Sequence, residues 1–187
     1  MDKKGFDSAD CCRRFLDGDE EAASEIMNEL YFGLVYFVDR YVHNVFSAED
    51  IAMDVMAELF SRRRRYDSGS SLKTYLYMLG KSRAIDFLRH ERVLSLTPLE
   101  DAEDIVSERA ELYEKVLDTE RKRAVGEAIS KLPPDMAAAV QLVYFEGLSY
   151  AEAARVMKKR RKQIDNLLYR AKNELRRTLG EEGKDLL

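Results

Sequence analysis

SYAEAARVMKKRRKQIDNLLYRAKNELRRTL, residues Ser149–Leu179, decides the architecture. Ser149 and Glu152 have the spacing of a capping box, in which each side chain satisfies the other's backbone N–H at a helix start. Ala153, Ala154, Val156 and Met157 follow as an apolar set. Beyond the basic run Lys158–Lys162, apolar residues recur at Ile164, Leu167, Leu168, Ala171, Leu175 and Leu179. Steps of three and four place them on one face of a helix. Two amphipathic helices around a short basic turn form the layout of a helix-turn-helix, whose second helix enters the DNA major groove.

The rest of the chain fits an all-α protein. Only 3 Pro and 9 Gly occur in 187 residues, and Ala, Leu, Glu, Arg and Lys recur throughout. These residues favour helices. No apolar run approaches the ~18 residues of a membrane span, so no membrane insertion is expected. The N-terminal MDKKGFDSADCC lacks the apolar centre of a signal peptide, so the expected location is cytoplasmic. Cys11 and Cys12 are adjacent and make no disulfide framework; with only His43 and His90 beside them, no metal or cofactor is expected. No phosphate-binding glycine loop, paired metal-binding histidines or nucleophile with a base is present, which argues against an enzyme and a small-molecule substrate.

The formal net charge of −4 conceals a strong pattern. Ser61–Arg92 carries a net +6 and Tyr150–Gly180 a net +7, while Leu99–Glu120 between them carries −7. Two basic zones on helices with apolar opposite faces suggest two contacts with a polyanion.

Three segments follow. Residues 1–95 form an N-terminal helical domain, with helices expected over Ser8–Asp17, Glu20–His43, from Ser47 to Phe60, and Leu72–Arg92. Ser47-Ala-Glu-Asp50 reads as the cap of the third helix. Residues 96–118 are an acidic linker interrupted by Pro98. Residues 119–187 form a C-terminal domain in which Thr119–Leu132 and a helix opening at Pro133-Pro134 precede the helix-turn-helix. The expected fold is therefore all-α, two small helical domains joined by an acidic linker.

The order of parts is also recognisable. Ala48-Glu-Asp-Ile-Ala-Met-Asp-Val, Tyr66-Asp-Ser-Gly, Tyr75-Leu-Tyr, Arg83-Ala-Ile-Asp-Phe-Leu-Arg89, Leu132-Pro133, Glu146-Gly-Leu-Ser-Tyr-Ala-Glu152 and Tyr169-Arg-Ala-Lys-Asn-Glu-Leu175 occur in sequence. This resembles the extracytoplasmic-function (ECF) group of bacterial RNA polymerase sigma factors over nearly the whole chain. The resemblance implies a promoter-specificity subunit that binds RNA polymerase core and promoter DNA and melts the minus-ten element. An anti-sigma factor is implied as a further partner, since such proteins often hold family members inactive.

The resemblance also assigns residues. Asp50, Asp54 and Glu58 share one helix face and would dock on the polymerase clamp; an acidic stripe complements Arg-rich helices. Ser68, Ser70, Ser71, Lys73, Lys81, Ser82, Arg83 and Arg89 would engage the minus-ten element, with Tyr66, Tyr75 and Tyr77 as aromatic surface for bases; core packing is the other reading of Tyr75. Lys158, Lys159, Arg160, Arg161, Lys162, Gln163, Asn166 and Arg170 would engage the minus-thirty-five element, base edges at the helix start and phosphates around it. Arg62–Arg65 either touch phosphates or close a helix end. The linker either lies in the polymerase or is a plain tether. Lys158 stands where the family usually has a turn glycine, Asp165 where it has a base, Met53 where it often has Gln, and Tyr75 and Ser82 where Trp and Asn are common. A stand-alone helix-turn-helix regulator and a helical protein-binding adaptor are the alternatives.

Overall fold

In a computed structural model, residues 8–61, 66, 70–94 and 120–179 are described. Every described element is helical. In chain order these are α1 (Ser8–Asp17), α2 (Glu20–Val42), α3 (Val45–Ser61), α4 (Leu72–Leu94), α5 (Glu120–Ser130), α6 (Pro134–Val140), a π-helical continuation Gln141–Phe145, α7 (Tyr150–Met157) and α8 (Arg161–Leu179). The acidic segment 96–118, Arg62–Arg65 and Ser68 lie outside the described residues, and so do the expectations placed on them.

Local chemistry sets the ends. Asp19 caps α2 by accepting from the Glu21 and Ala22 backbone N–H groups, and Arg14 of α1 ties that helix to the cap through Asp19 and to α2 through Glu25. α3 begins at Val45 rather than at Ser47. Asn44 is its cap: Oδ1 accepts from Ser47 N at 2.9 Å. The helix starts earlier because Val45 is buried in the core, so the chain turns before it. Pro134 occupies the first position of α6, where its missing N–H costs nothing.

In the N-terminal half α2, α3 and α4 pack around Leu34, Phe37, Val38, Val55, Leu59, Leu72 and Leu76, all essentially inaccessible. α1 closes one end with Cys11, Cys12 and Phe15. Both cysteines are free and buried; desolvation, with the Glu25 carboxylate adding to it, pushes the Cys11 thiol up to about 11. In the C-terminal half α5 to α8 surround Ile129, Met136, Ala139, Leu142, Val156, Ile164 and Leu168. The halves share one continuous apolar cluster.

Two glycines show where helices come closest. A Cβ on Gly80 of α4 would lie 2.8 Å from Leu34 Cδ1 of α2. A Cβ on Gly33 of α2 would lie 2.5 Å from Glu146 Oε1 and 2.6 Å from Tyr77 Oη. Mid-helix glycine costs about 1 kcal/mol relative to alanine in an open helix, so at both sites contact outweighs propensity.

The α2–α4 contact can be tested by volume exchange. Gly80→Val should destabilise by about 2 kcal/mol through overpacking, and Leu34→Ala by about 3 kcal/mol through the cavity it leaves. In the double variant Leu34→Ala/Gly80→Val the losses should fall short of additivity, because the new side chain enters the emptied space. Urea unfolding of the three variants measures this.

Candidate nucleic-acid interface

The helix-turn-helix is built as its capping pattern requires. Ser149 Oγ accepts from Glu152 N, and Glu152 Oε2 accepts from Ser149 N at 2.9 Å. Lys158 closes α7 in the left-handed region, φ 53° and ψ 44°. A side chain there costs roughly 1–2 kcal/mol, which explains why glycine suits this turn. Val156, Met157, Ile164 and Leu168 bury the inner faces of the pair.

The outer face of α8 carries the basic residues. Arg160, Arg161, Lys162, Gln163, Asn166 and Arg170 are exposed. Lys159, Gln163, Asn166, Leu167 and Arg170 line one shallow depression of about 190 Å³. Positions 163, 166, 167 and 170 share a helix face, so this depression runs along α8 beside the turn. Two assigned residues also have local partners. Gln163 Oε1 accepts from Arg160 N at 2.7 Å, capping α8, so its NH2 is the part with donor capacity left for DNA. Lys159 Nζ lies 2.9 Å from the Asp135 carboxylate. Sequence spacing contains the first of these signals: Gln163 stands three residues after the cap, where Gln serves a capping box. Asp165 is exposed on α8.

The second basic face lies along α4, where the structure separates residues that the sequence grouped. Arg83 and Arg89 are exposed; Arg83 pairs with Glu58 at 2.6 Å and Arg89 with Asp86 at 3.3 Å. Ser82 is half-buried. Ser70 is half-buried, its carbonyl accepting from Tyr66 Oη. Ser71, Lys73 and Lys81 instead face the C-terminal half. Ser71 Oγ donates to Glu152 Oε1 at 2.8 Å, joined by Thr74 Oγ1 at 3.2 Å. Lys73 Nζ donates to the Glu146 carbonyl at 2.8 Å, with the Glu146 carboxylate at 3.5 Å. Lys81 is 8% exposed and donates to the Met157 carbonyl at 2.8 Å. Both lysines sit at the C-terminal ends of helical segments, where cations meet unpaired carbonyls and the negative end of the dipole. Burial lowers the Lys81 pKa; Asp135 acts against this, and Lys158 and Lys159 add to it.

The tyrosines offer less open surface than their positions suggest. Tyr77 is fully buried beside Glu146 without a well-formed hydrogen bond. Burial, reinforced by the Glu146 carboxylate, raises its pKa well above the ordinary range. Tyr66 is buried and packs edge-on against half-buried Tyr75, centroids 5.3 Å apart. Packing thus takes up residues that periodicity alone left available for bases.

On α3, Asp50 and Asp54 are exposed with Met53 between them. Glu58 is half-buried and tied to Arg83, so the acidic stripe is open at two positions and anchored at the third. Gln141 bonds across the contact between the two halves, a role that was not visible in the sequence. It is 1% exposed, its Oε1 accepts from Arg40 Nε at 3.1 Å, and its Nε2 donates to the Gly33 carbonyl at 2.9 Å. A lone polar residue in the apolar run Ala137–Phe145 was the available signal. Among the described residues no group of three His, Cys, Asp or Glu could hold a metal ion, and no described helix is long and apolar enough to cross a membrane.

Two helical bundles, one ending in a helix-turn-helix with a basic outer face, define a DNA-binding transcription protein. Residues 26–93 match Sigma-70 region 2 and residues 122–175 match Sigma-70 region 4. ECF RNA polymerase sigma factor RpoE of Cereibacter sphaeroides is 28% identical over 137 residues, covering 73% of this chain and 74% of that protein. RNA polymerase sigma-H factor of Pseudomonas aeruginosa is 25% identical over 175 residues, covering 87% and 88%. The fold is shared with sigma factor RpoE of Bartonella quintana, solved in complex with the anti-sigma factor NepR: TM-score 0.60, 19% identity, 84% of this chain and 96% of that one. The chain belongs to the RNA polymerase sigma factors, in the ECF group, and it directs promoter-specific transcription initiation.

Two predictions rest on this geometry. Lys158→Gly should be more stable than Lys158→Ala by about 1 kcal/mol, because only glycine removes the left-handed penalty; thermal unfolding decides it. The second concerns Glu152. Burial raises its pKa, but hydrogen bonds from Ser149, Ser71 and Thr74 outweigh this and hold it at about 2. A depressed folded-state value contributes stability above the ordinary glutamate value and loses it as pH falls toward the folded one. The stability advantage of the wild type over Glu152→Gln should therefore be full at about pH 6 and shrink below about pH 4.5. An advantage of equal size at about pH 3 would show that the carboxylate charge contributes nothing.

Proposed function

We propose that this sigma factor grips a promoter at two points and opens the duplex at one of them. In this reading α7 and α8 hold the minus-thirty-five element. Arg160, Arg161, Lys162 and Asn166 meet base edges and phosphates, while Lys158, Lys159 and Arg170 meet phosphates; Gln163 contributes its NH2. Helix α4 and the segment before it hold the minus-ten element through Ser68, Ser70, Ser71, Lys73, Lys81, Ser82, Arg83 and Arg89. Asp50, Asp54 and Glu58 bind polymerase core. The observation that carries the reading is the exposed basic cluster Arg160–Lys162 at the start of α8, beside a depression lined along one helix face. Helix N-termini with free N–H groups and nearby cations suit phosphate.

In the same reading the protein works in the cytoplasm, carries no catalytic chemistry of its own, and is restrained by an anti-sigma factor. The solved complex of a relative with its anti-sigma factor supports that last expectation.

Promoter-dependent initiation with purified core polymerase tests the assignment. Asp50→Lys with Asp54→Lys should weaken core binding about tenfold or more by reversing charge at the contact, with binding of the isolated chain to duplex DNA not reduced. Lys162→Ala should weaken duplex binding; loss that is uniform across sequences, with a salt slope lower by about 1, marks a phosphate contact, whereas loss confined to one base position marks readout.

A further inference from the structure

The outward side of α8 carries a residue that neither the core nor the basic cluster accounts for. Tyr169 is 69% exposed, the most open large apolar side chain among the described residues. α8 turns Ile164, Leu168, Ala171 and Leu175 inward. At about 100° per residue, Lys162, Asn166 and Tyr169 point the opposite way, with Asp165 at their edge. All four are exposed, and among the described residues no hydrogen bond or ion pair engages their side chains. Gln163 and Lys159, by contrast, are tied to the Arg160 backbone and to Asp135. Tyrosine is a weaker helix former than the Lys, Arg and Glu around it. On an open face it therefore adds nothing to the helix.

Lys162, Asp165, Asn166 and Tyr169 stand at i, i+3, i+4 and i+7. That is the spacing with which a helix lying in the major groove presents side chains to base edges. Their chemistry is that of base readout. A surface that met only phosphates would be uniformly basic. Lys162 suits the guanine edge and Asn166 the adenine edge. Asp165 is repelled by phosphates, but its carboxylate accepts from the exocyclic amine of cytosine. It marks this side of α8 as facing the groove floor rather than the DNA backbone. Tyr169 lies one turn further along the same side, at i+4 from Asp165. An apolar side chain has one specific target on that floor, the 5-methyl group of thymine.

We propose that Tyr169 is a specificity-determining residue, whose ring packs on the 5-methyl group of a thymine in the minus-thirty-five element. The proposal rests on the reading of α8 given above and adds to it a residue outside the basic cluster. The contact is apolar, so it distinguishes thymine from any base without that methyl, uracil included. The cations of α8 supply affinity for any duplex through phosphates, and Tyr169 supplies discrimination at one base pair. The hydroxyl has no part in the contact: the ring alone suffices.

The test uses holoenzyme assembled from core polymerase and the full-length chain, as wild type, Tyr169→Ala and Tyr169→Phe. Because Tyr169 is exposed, both variants should keep the helical circular dichroism and thermal midpoint of the wild type. Wild-type holoenzyme first selects its minus-thirty-five sequence from duplexes randomised over that element. Each thymine of the selected duplex is then replaced by uracil, one at a time on both strands, and binding is measured. At one position the replacement should weaken wild type and Tyr169→Phe about fourfold, the effect of one buried methyl. Tyr169→Ala should bind the two duplexes equally at that position. Equal losses in wild type and Tyr169→Ala at every position overturn the proposal. So does a Tyr169→Phe variant that behaves as Tyr169→Ala, which marks a hydroxyl contact to phosphate instead. If wild type selects no sequence, or Asn166→Ala selects the same sequence as wild type, the reading of α8 itself is wrong, and the proposal for Tyr169 falls with it.

Discussion

Helix α7 lies along α4 with its two ends bonded to the other half: Glu152 to Ser71 and Thr74, and the Met157 carbonyl to Lys81. This placement brings an anionic cap residue to hydroxyls at one end and an ammonium to a helix C-terminus at the other. Both contacts combine a hydrogen bond with the helix dipole. Gly33 permits the approach, because a side chain there would strike Glu146. Gln141 then fills the remaining polar requirement at the boundary by pairing with Arg40 and the Gly33 carbonyl. These polar contacts fix the register in which the two halves share one apolar cluster.

This arrangement gives single residues two uses. Glu152 caps α7 through one carboxylate oxygen and accepts from Ser71 and Thr74 through the other. Arg83 belongs to the basic face of α4, yet its guanidinium is 2.6 Å from Glu58 of the acidic stripe on α3. Lys159 is held by Asp135 within its own half. These pairs are partly exposed, so each is worth little to stability. Their effect is to fix where charge is presented to a partner. Arg160, Arg161 and Lys162, by contrast, remain exposed at the start of the recognition helix.

Much of the architecture was legible before any coordinates. The capping box at Ser149 and Glu152, the period-three-and-four apolar faces and Pro134 at a helix start all act within a few residues. Local rules therefore read them, and the structure has each in place. Asn44 was missed as the cap of α3 because Ser47-Ala-Glu-Asp50 offers a competing pattern; burial of Val45 settles the start one turn earlier. Core packing was already one reading of Tyr75, but Tyr77 was legible only as aromatic surface, since periodicity cannot say which neighbour covers a helix face.

The sequence by itself determined the class of fold, the helix-turn-helix and the charge pattern, because these depend on spacing along a helix and on residue type. It also carried enough ordered motifs to indicate the sigma factor family. Only the tertiary structure decided which basic residues are open. Lys73 and Lys81 face the end of the π-helical segment and α7, while Arg83 and Arg89 are exposed. The reason is physical: partners separated by more than seventy residues in Ser71–Glu152, Lys73–Glu146 and Lys81–Met157 meet through packing. No local period encodes which side of α4 the second half will cover.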